Sequence, residues 1–281
     1  MAADAVTPLP FSVLLPVYAG DSPSFVRRAF ESVTVDQSLQ PDEVVVVQDG
    51  PVGAELAEEI AHLRDSTTVA VRVLQLEHNV GLARALDAGL AACTFDVVAR
   101  MDADDIARPA RFAEQLALIA EGYDIVGSAI QEFADERRPG AVRVPPGSPQ
   151  EIERSARFRS PFNHPSVVFR REAVRAAGGY EDLPLMEDYW LWARMIAQGA
   201  RGRNLPEPLV MYRVGAGAYA RRGGANLLRS ELELQRRMRR IGFTTRTQFA
   251  RNLAVRGTYR LVPEALRRRT YRSLFAEETP G

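Results

Sequence analysis

The chain of 281 residues has no lysine; all 36 of its basic residues are arginine, balanced by 36 Asp and Glu to a formal net charge of zero. That absence removes every mechanism built on a lysine amine, such as a phosphate-loop lysine or a pyridoxal Schiff base. One cysteine, Cys93, excludes an internal disulfide and a cysteine-rich zinc site. No apolar run reaches about 18 residues, so no membrane-spanning helix is expected. The opening MAADAVTPLP lacks a basic start followed by an apolar segment, so no secretory signal is expected and a cytoplasmic location is the simplest reading. No G-x-G-x-x-G follows the first apolar run, which removes the central feature of a dehydrogenase. There is no internal repeat.

What is present is a composition 46% hydrophobic and 26% charged, enough to bury one large core or two small ones. Charge is unevenly distributed. Residues 213–281 hold 16 Arg against five Glu and no Asp, a balance of +11, which leaves −11 for residues 1–212. An arginine-rich tail on an acidic body fits contact with an anionic partner such as phosphates or a lipid surface, and equally a set of solvated helices.

Short β-rich runs alternate with helical patterns. FSVLLPV (11–17), EVVVVQD (43–49), VRVLQL (71–76), DVVARM (96–101) and DIVGSAI (124–130) read as strands, the four valines of the second marking a strand covered on both faces. Helices are expected at 23–37, 53–64, 81–93 and 109–121, with Pro109 in the first turn of the last. Residues 130–160 read as an irregular connection. SVVFR (166–170) and PLVMYRV (208–214) are further strands, and EDYWLWARMIAQ (187–198) is an amphipathic helix. The basic, glycine-rich 215–225 stretch reads as a loop, and 263–275 as a helix. The alternation predicts an α/β fold, a mostly parallel sheet with helices on both faces and ligands at the carboxyl ends of the strands. Gln48–Asp49–Gly50, His78–Asn79 and an acidic cluster all fall at such ends.

That cluster, RMDADDIARP, gathers Asp102, Asp104 and Asp105 within four positions. One carboxylate would suffice to cap a helix, for about 0.3–1 kcal/mol. Three must be offset by something positive, and carboxylates at a strand end suit a hard divalent ion such as Mn2+ or Mg2+. A D-x-D phosphatase would commonly rely on a later lysine, absent here. A transferase would use the ion to hold a diphosphate leaving group.

SVLLPVY, EVVVVQDGP, NVGLARALDAG, RMDADDIARPARF, NHPSVVFRR and MEDYWLWARM, in that order across about residues 11–214, resemble a family 2 glycosyltransferase of the GT-A fold, of the type that builds bacterial polysaccharides and glycolipids. The resemblance implies a catalytic domain over 1–214, with nucleotide-sugar binding roughly in 11–130 and the acceptor side in 131–214, followed by a loop and a basic helical arm over 215–281. It implies that Pro16, Val17 and Tyr18 line the nucleobase pocket, that Asp49 contacts the base, and that Asn79, Gly81 and Leu82 lie beside the donor. Asp104 would be the direct metal ligand, with Asp102 at the metal or reaching the ribose or donor sugar, while Asp105 would cap a helix or support the pair. Asp188 would be the general base, with Glu187 beside it and His164 and Trp192 on the acceptor side. A structural histidine is an equal reading of His164, and an ordinary core tryptophan the first reading of Trp192.

The chain also departs from the pattern. Ala19, Gln48 and Asp87 stand where relatives often carry Asn, Asp and Asn. No histidine follows YR, so Arg213, Arg221 or Arg222 would neutralise the diphosphate instead. The implied partners are a nucleoside diphosphate sugar, UDP-linked before GDP or dTDP, and a glycan or lipid-diphosphate-linked acceptor, with peripheral contact to an anionic membrane and none with nucleic acid. The implied reaction inverts the anomeric centre. The rival readings are a nucleotidyltransferase, which would want a basic glycine-rich loop that PVYAGDSP does not supply, and a nucleotide-sugar-binding subunit without turnover.

Overall fold

The computed structural model describes residues 9–214 and 225–261. Its elements are β1 (Phe11–Tyr18), α1 (Pro23–Val33), β2 (Glu43–Asp49), α2 (Ala54–Asp65), β3 (Ala70–Gln75), α3 (Leu82–Ala92), β4 (Val97–Arg100), β5 (Ile106–Ala107), α4 (Arg111–Ala120), β6 (Ile125–Asp135), β7 (Arg138–Arg143), α5 (Pro149–Ala156), β8 (Val168–Arg170), α6 (Arg171–Ala176), α7 (Glu187–Ala197), β9 (Gly202–Arg213), α8 (Ala225–Arg240) and α9 (Arg246–Leu261). A single 3-10 turn, His164–Ser166, precedes β8.

The strands form one sheet in the order β3-β2-β1-β4-β8-β6-β9-β5, with β7 paired to β6. From β3 to β4 the pairing is parallel, as the alternating pattern predicts. Beyond β4 the sheet is mixed: β8 runs antiparallel to β4 and β6, and β9 runs parallel to β6 but antiparallel to β5.

The valine run of β2 shows why the sheet is covered on both sides. Val44 and Val46 enter the core beneath α1, α2 and α4, with Val26, Phe30, Ile60 and Phe112. Val45 and Val47 enter the opposite core beneath α3 and α7, with Leu86, Leu90, Leu191 and Trp192. Side-chain alternation in a strand sends successive residues to opposite faces, and both faces here are apolar.

The 130–160 segment is not irregular. β6 continues to Asp135 and folds back as β7, with register shifts at Gln131/Phe133 and Phe133/Asp135 that interrupt the simple two-residue period. α5 then opens on a capping box, in which Ser148 Oγ accepts the Glu151 N–H and the Glu151 carboxylate accepts the Ser148 N–H. Pro109 does not lie in a helix; it sits in the turn before Arg111. α1 stops at Val33 rather than residue 37, where Thr34 and Ser32 turn their hydroxyls onto the carbonyls of Phe30 and Ala29.

α8 and α9 are packed on the body. Leu227, Leu234, Met238 and Phe243 bury against Leu183, Met186, Tyr189 and Trp190. A polar seam locks the two helices together: Arg256 pairs with the buried Glu231, and Asn252 donates to Gln235. Residues 215–224 and the 263–275 helix expected from sequence lie outside the described residues.

Candidate active site

β1, β2, β3 and β4 end at one edge of the sheet, so the segments that follow them meet there. After β1 the chain turns tightly: the Tyr18 N–H donates to Asp21 Oδ2 at 2.9 Å, and the Asp21 N–H to Tyr18 O at 3.0 Å. The exposed Tyr18 ring lies over Gly20, where any Cβ would come within 2.5–2.6 Å of it. Pro16 is half-buried. Val17 does not line a pocket; it is buried in the core beneath α1 because its side chain points to the opposite face from its neighbours.

Asp49, at the end of β2, holds the segment after β3. Its Oδ1 accepts the Val80 N–H at 2.7 Å, its Oδ2 the Gly81 N–H at 3.1 Å, and its carbonyl the Asn79 amide. Gly50 lets the two segments approach, since at φ +85° a Cβ there would sit 2.5 Å from Asn79 N. Gly81, also at positive φ, opens α3, leaving Asn79 and Leu82 exposed at the edge. Asp49 is therefore first a brace, and a base contact would use the remaining lone pairs of its carboxylate.

The acidic cluster divides into distinct surroundings. Asp102 is gripped by the guanidinium of Arg100, which donates to both of its oxygens. Asp105 is fully buried and caps no helix, a correction of the sequence reading: α4 begins six residues on, with no side-chain cap. Its Oδ1 instead accepts the Arg213 N–H at 2.7 Å, joining the D-x-D segment to the end of β9, while its Oδ2 is buried without a partner. Burial, then Asp102 and Asp104, push its carboxyl well above the usual range. Asp104 has no ion-pair partner among the described residues, and burial followed by Asp102 raises its pKa. Asp21 faces the same two aspartates; burial, with Asp104 and Asp102, lifts it to about 6. Arg213 completes the rim, its guanidinium stacked 3.8 Å from the Phe25 ring and 4.4 Å from that of Phe133, with Nε on Asp104 O.

Among the described residues no group of three or more His, Cys, Asp and Glu side chains is arranged to hold a metal ion. The residues nonetheless fit a hard cation bound by one or two carboxylates and completed by substrate phosphates, the usual arrangement for Mg2+. Asp104 is the available ligand, and the orphaned Asp105 oxygen and the raised Asp21 and Asp104 pKa values mark an excess of negative charge.

A second group of residues is carried by α7, the 3-10 turn and the α6–α7 connection. Glu187 and Asp188 open α7, half-buried, and Tyr189 N–H donates to Asp188 Oδ1 at 2.7 Å. Burial raises both carboxyls, and Asp188 raises Glu187 further. Just before them Leu185 is 58% exposed at φ +66°, the sole non-glycine at positive φ among the described residues. A leucine held there costs about 1–2 kcal/mol, strain of the kind that collects at functional sites. His164 Nε2 lies 2.9 Å from Tyr180 Oη, and burial followed by Arg100 pushes the imidazole well below its usual pKa. Tyr180 is placed in turn by Asp87, whose Oδ1 accepts its N–H, beside Gly179 at φ +70° where a Cβ would stand 2.4 Å from that oxygen.

Trp192 shares a face of α7 with Asp188 but forms no acceptor wall. It is fully buried, packed edge-on against Phe162 and His164 and beside Phe169. Trp192→Ala is accordingly expected to cost about 3–5 kcal/mol of stability in urea unfolding.

The structure thus gathers Asp102, Asp104 and Arg213 at one rim, and adds Arg100, Asp21 and Tyr180, which the sequence reading did not single out. Arg100 carried a signal, being a charged residue inside the apolar strand VVARM. Asp21 and Tyr180 carried none, since only tertiary contacts bring them in.

Residues 12–177 match the Glycosyl transferase family 2 domain. The amylovoran biosynthesis glycosyltransferase AmsE of Erwinia amylovora is 38% identical over 258 residues, spanning 90% of this chain and 94% of that protein. An Escherichia coli UDP-Gal:alpha-D-GlcNAc-diphosphoundecaprenol beta-1,3-galactosyltransferase is 36% identical over 270 residues, 94% of this chain and 96% of the other. Among solved structures, the mannosyltransferase PcManGT of Pyrobaculum calidifontis, determined with GDP-Man and Mn2+, superposes with a TM-score of 0.64 over 96% of this chain and 83% of its own, at 16% identity, a likeness of fold. By its matched domain and its near-full-length relatives, this chain is a glycosyltransferase of family 2, with the GT-A fold.

Proposed function

We propose that the protein is a metal-dependent, inverting glycosyltransferase that moves a sugar from a nucleoside diphosphate donor, UDP first, to a hydroxyl of a glycan or lipid-diphosphate-linked glycan. The observation that carries the reading is the presence of two carboxylate sets: the Asp102–Asp104 rim after β4, held by Arg100 and Arg213, and the half-buried Glu187–Asp188 pair that opens α7. The base and ribose lie along Pro16, Tyr18, Asp49 and the 79–82 segment, and Asp102 orients the ribose or donor sugar. Mn2+ or Mg2+ at Asp104 would supply Lewis-acid neutralisation of the diphosphate. Arg213, held flat between two aromatic rings, adds a fixed positive charge at the same rim. Asp188 takes the proton of the acceptor hydroxyl as its oxygen forms the bond to the anomeric carbon and the bond to the diphosphate breaks on the opposite face. That direction of attack is what inverts the configuration.

The E. coli relative's name supports UDP-galactose as the first donor to test and a GlcNAc-diphospholipid as the first acceptor. Stabilisation in a thermal-shift panel of UDP-, GDP- and dTDP-sugars, each with and without MnCl2, tests the donor reading. UDP compounds with Mn2+ are expected to raise the midpoint most, and no shift with any nucleotide would sink the proposal.

No helix among the described residues is long and apolar enough to cross a membrane. We place the enzyme in the cytoplasm, at the inner membrane face, through the arm. Arg237 and Arg256 there have ion-pair partners, whereas Arg229, Arg236, Arg239, Arg240 and Arg246 have none among the described residues. Such residues near an anionic surface contribute about 1 kcal/mol each. Sedimentation with vesicles containing phosphatidylglycerol should be strong at low salt and lost at high salt; equal sedimentation with neutral vesicles would contradict the contact.

A further inference from the structure

Where α5 meets α9 the surface opens into a cavity of about 660 Å3 that shares no residue with the site described above. Its volume falls in the range of small-molecule sites, roughly 300–1,000 Å3. Three arginines line it from two elements: Arg154 in α5, Arg159 just past the end of that helix, and Arg251 in α9. None of them lies within ion-pair distance of a carboxylate among the described residues, whereas their neighbours Arg157 and Arg256 pair with Glu153 and Glu231. The single carboxylate at the cavity, Glu151, is already engaged, its Oε2 accepting the Ser148 N–H at 2.9 Å and the Ser148 hydroxyl at 2.8 Å. Three arginines against one glutamate leave the lining with a charge of +2.

The walls are fixed by buried polar side chains. Asn204, 1% exposed, donates its N–H to Gly147 O at 3.0 Å and its amide to Pro146 O at 2.7 Å, which ties the 145–147 wall to β9. Asn252, equally buried, donates to Arg157 O at 2.8 Å, and Arg256 Nε to Phe158 O at 3.2 Å, which ties α9 to the end of α5. The arginines themselves are lightly committed. Arg154 makes no side-chain hydrogen bond among the described residues, and Arg159 uses only its Nε, on Ser155 Oγ at 3.1 Å. The Arg251 guanidinium lies over the Phe158 ring, 4.6 Å from its centroid. The dipole of α5 favours cations near its end, but it gives no reason for Arg251 to approach from α9. We propose that this cavity binds a phosphate monoester, its oxygens on the three guanidiniums and its carbon skeleton against Phe158 and Pro146. A monoester carries about −1.5 to −2 charge at pH 7 and three strong acceptor oxygens, which matches the lining; a carboxylate brings one charge and two oxygens. Planar guanidinium forks suit phosphate oxygens. Two sources present the group, a soluble glycerol or sugar phosphate and the headgroup of phosphatidic acid.

Calorimetry in EDTA, where no divalent ion can hold phosphate at the aspartate rim, tests the site with glycerol 3-phosphate and with micelle-free dihexanoyl phosphatidic acid. The wild type should bind at least one of them. Tighter binding of the lipid assigns the headgroup as the source, and equal binding assigns the free ester. Arg154→Glu should weaken binding about tenfold or more, since a charge-assisted contact is lost and a like charge faces the ligand. That exposed side chain holds no other element, so the variant should unfold in urea as the wild type does. Arg251→Gln, on the facing wall, should weaken binding about tenfold as well. UDP binding in MnCl2 should be unchanged in both variants. Absence of binding by either probe, or binding that ignores Arg154→Glu, would overturn the proposal. Sensitivity to Arg154 without sensitivity to Arg251 would put the ligand on α5 alone, and a parallel loss of UDP binding would put it at the donor site; each result contradicts a site between the two helices.

Discussion

Replacement of Asp188 by Asn is expected to lower transfer by about 10²–10⁴-fold while leaving donor affinity unchanged. The asparagine is isosteric and its carbonyl can keep the hydrogen bond from Tyr189 N–H, so α7 should begin as before. What is lost is the lone pair that removes the acceptor proton. Asp188 is more than an exposed first-turn carboxylate, because burial lifts it from 3.8 to about 6, against the lowering effects of the Tyr189 N–H and Arg100. The working form is the anion, so activity falls as pH drops through that value, where an unperturbed aspartate would hold activity to about pH 4. Glu187, raised to about 7 by burial and by Asp188, titrates together with it. Glu187→Gln should therefore leave the acid limb near its wild-type place, since Glu187 still holds its proton as Asp188 ionises. Full activity of Asp188→Asn, or an acid limb near pH 4, would show that the proton goes elsewhere.

Asp104→Ala carries the second large expectation, a loss of about two to three orders of magnitude in transfer, as several kcal/mol of charge stabilisation on the leaving group disappears. Binding of UDP should fall to the level seen without Mn2+ and stop responding to the ion. The same substitution should leave thermal stability unchanged or raise it. Asp104 is half-buried beside Asp102 and within the field of Asp21, and its raised pKa means that its ionised form is disfavoured by the fold. A residue retained for folding would behave the opposite way, and sites kept for function commonly trade stability for it. A destabilised Asp104→Ala with metal-responsive UDP binding would return the aspartate to a structural role.

The parts of the molecule that were legible in the sequence are those set by local pattern. The four valines of β2 announce a strand covered twice, and the motifs holding Asp102, Asp104 and Asp188 place these carboxylates at the end of β4 and the start of α7. Where tertiary geometry decides, the reading fell short. Val17 sits in the motif PVY, yet strand alternation turns it into the core. Trp192 keeps the face predicted for it, and that face is buried under Phe162 and His164. Asp105 looked like a helix cap because it precedes an apolar helical run, but the intervening β5 and turn carry the helix start away and leave Asp105 to pair with β9, 108 residues later. Arg100 was passed over because an arginine in a strand has no meaning until the groups around it are known. The 130–160 hairpin was missed because shifted register hides a two-residue period, although S-P-Q-E at its end did carry the signature of the α5 cap.

The most direct test of the central claim is the anomeric configuration of the product. With the donor identified by the thermal-shift panel, transfer in MnCl2 to a GlcNAc-diphospholipid can be followed by the proton coupling constant of the new glycosidic linkage. An α-linked donor should yield a β-linked product, formed about 10²–10⁴-fold more slowly with Asp188→Asn. An α-linked product would contradict single in-line attack assisted by Asp188.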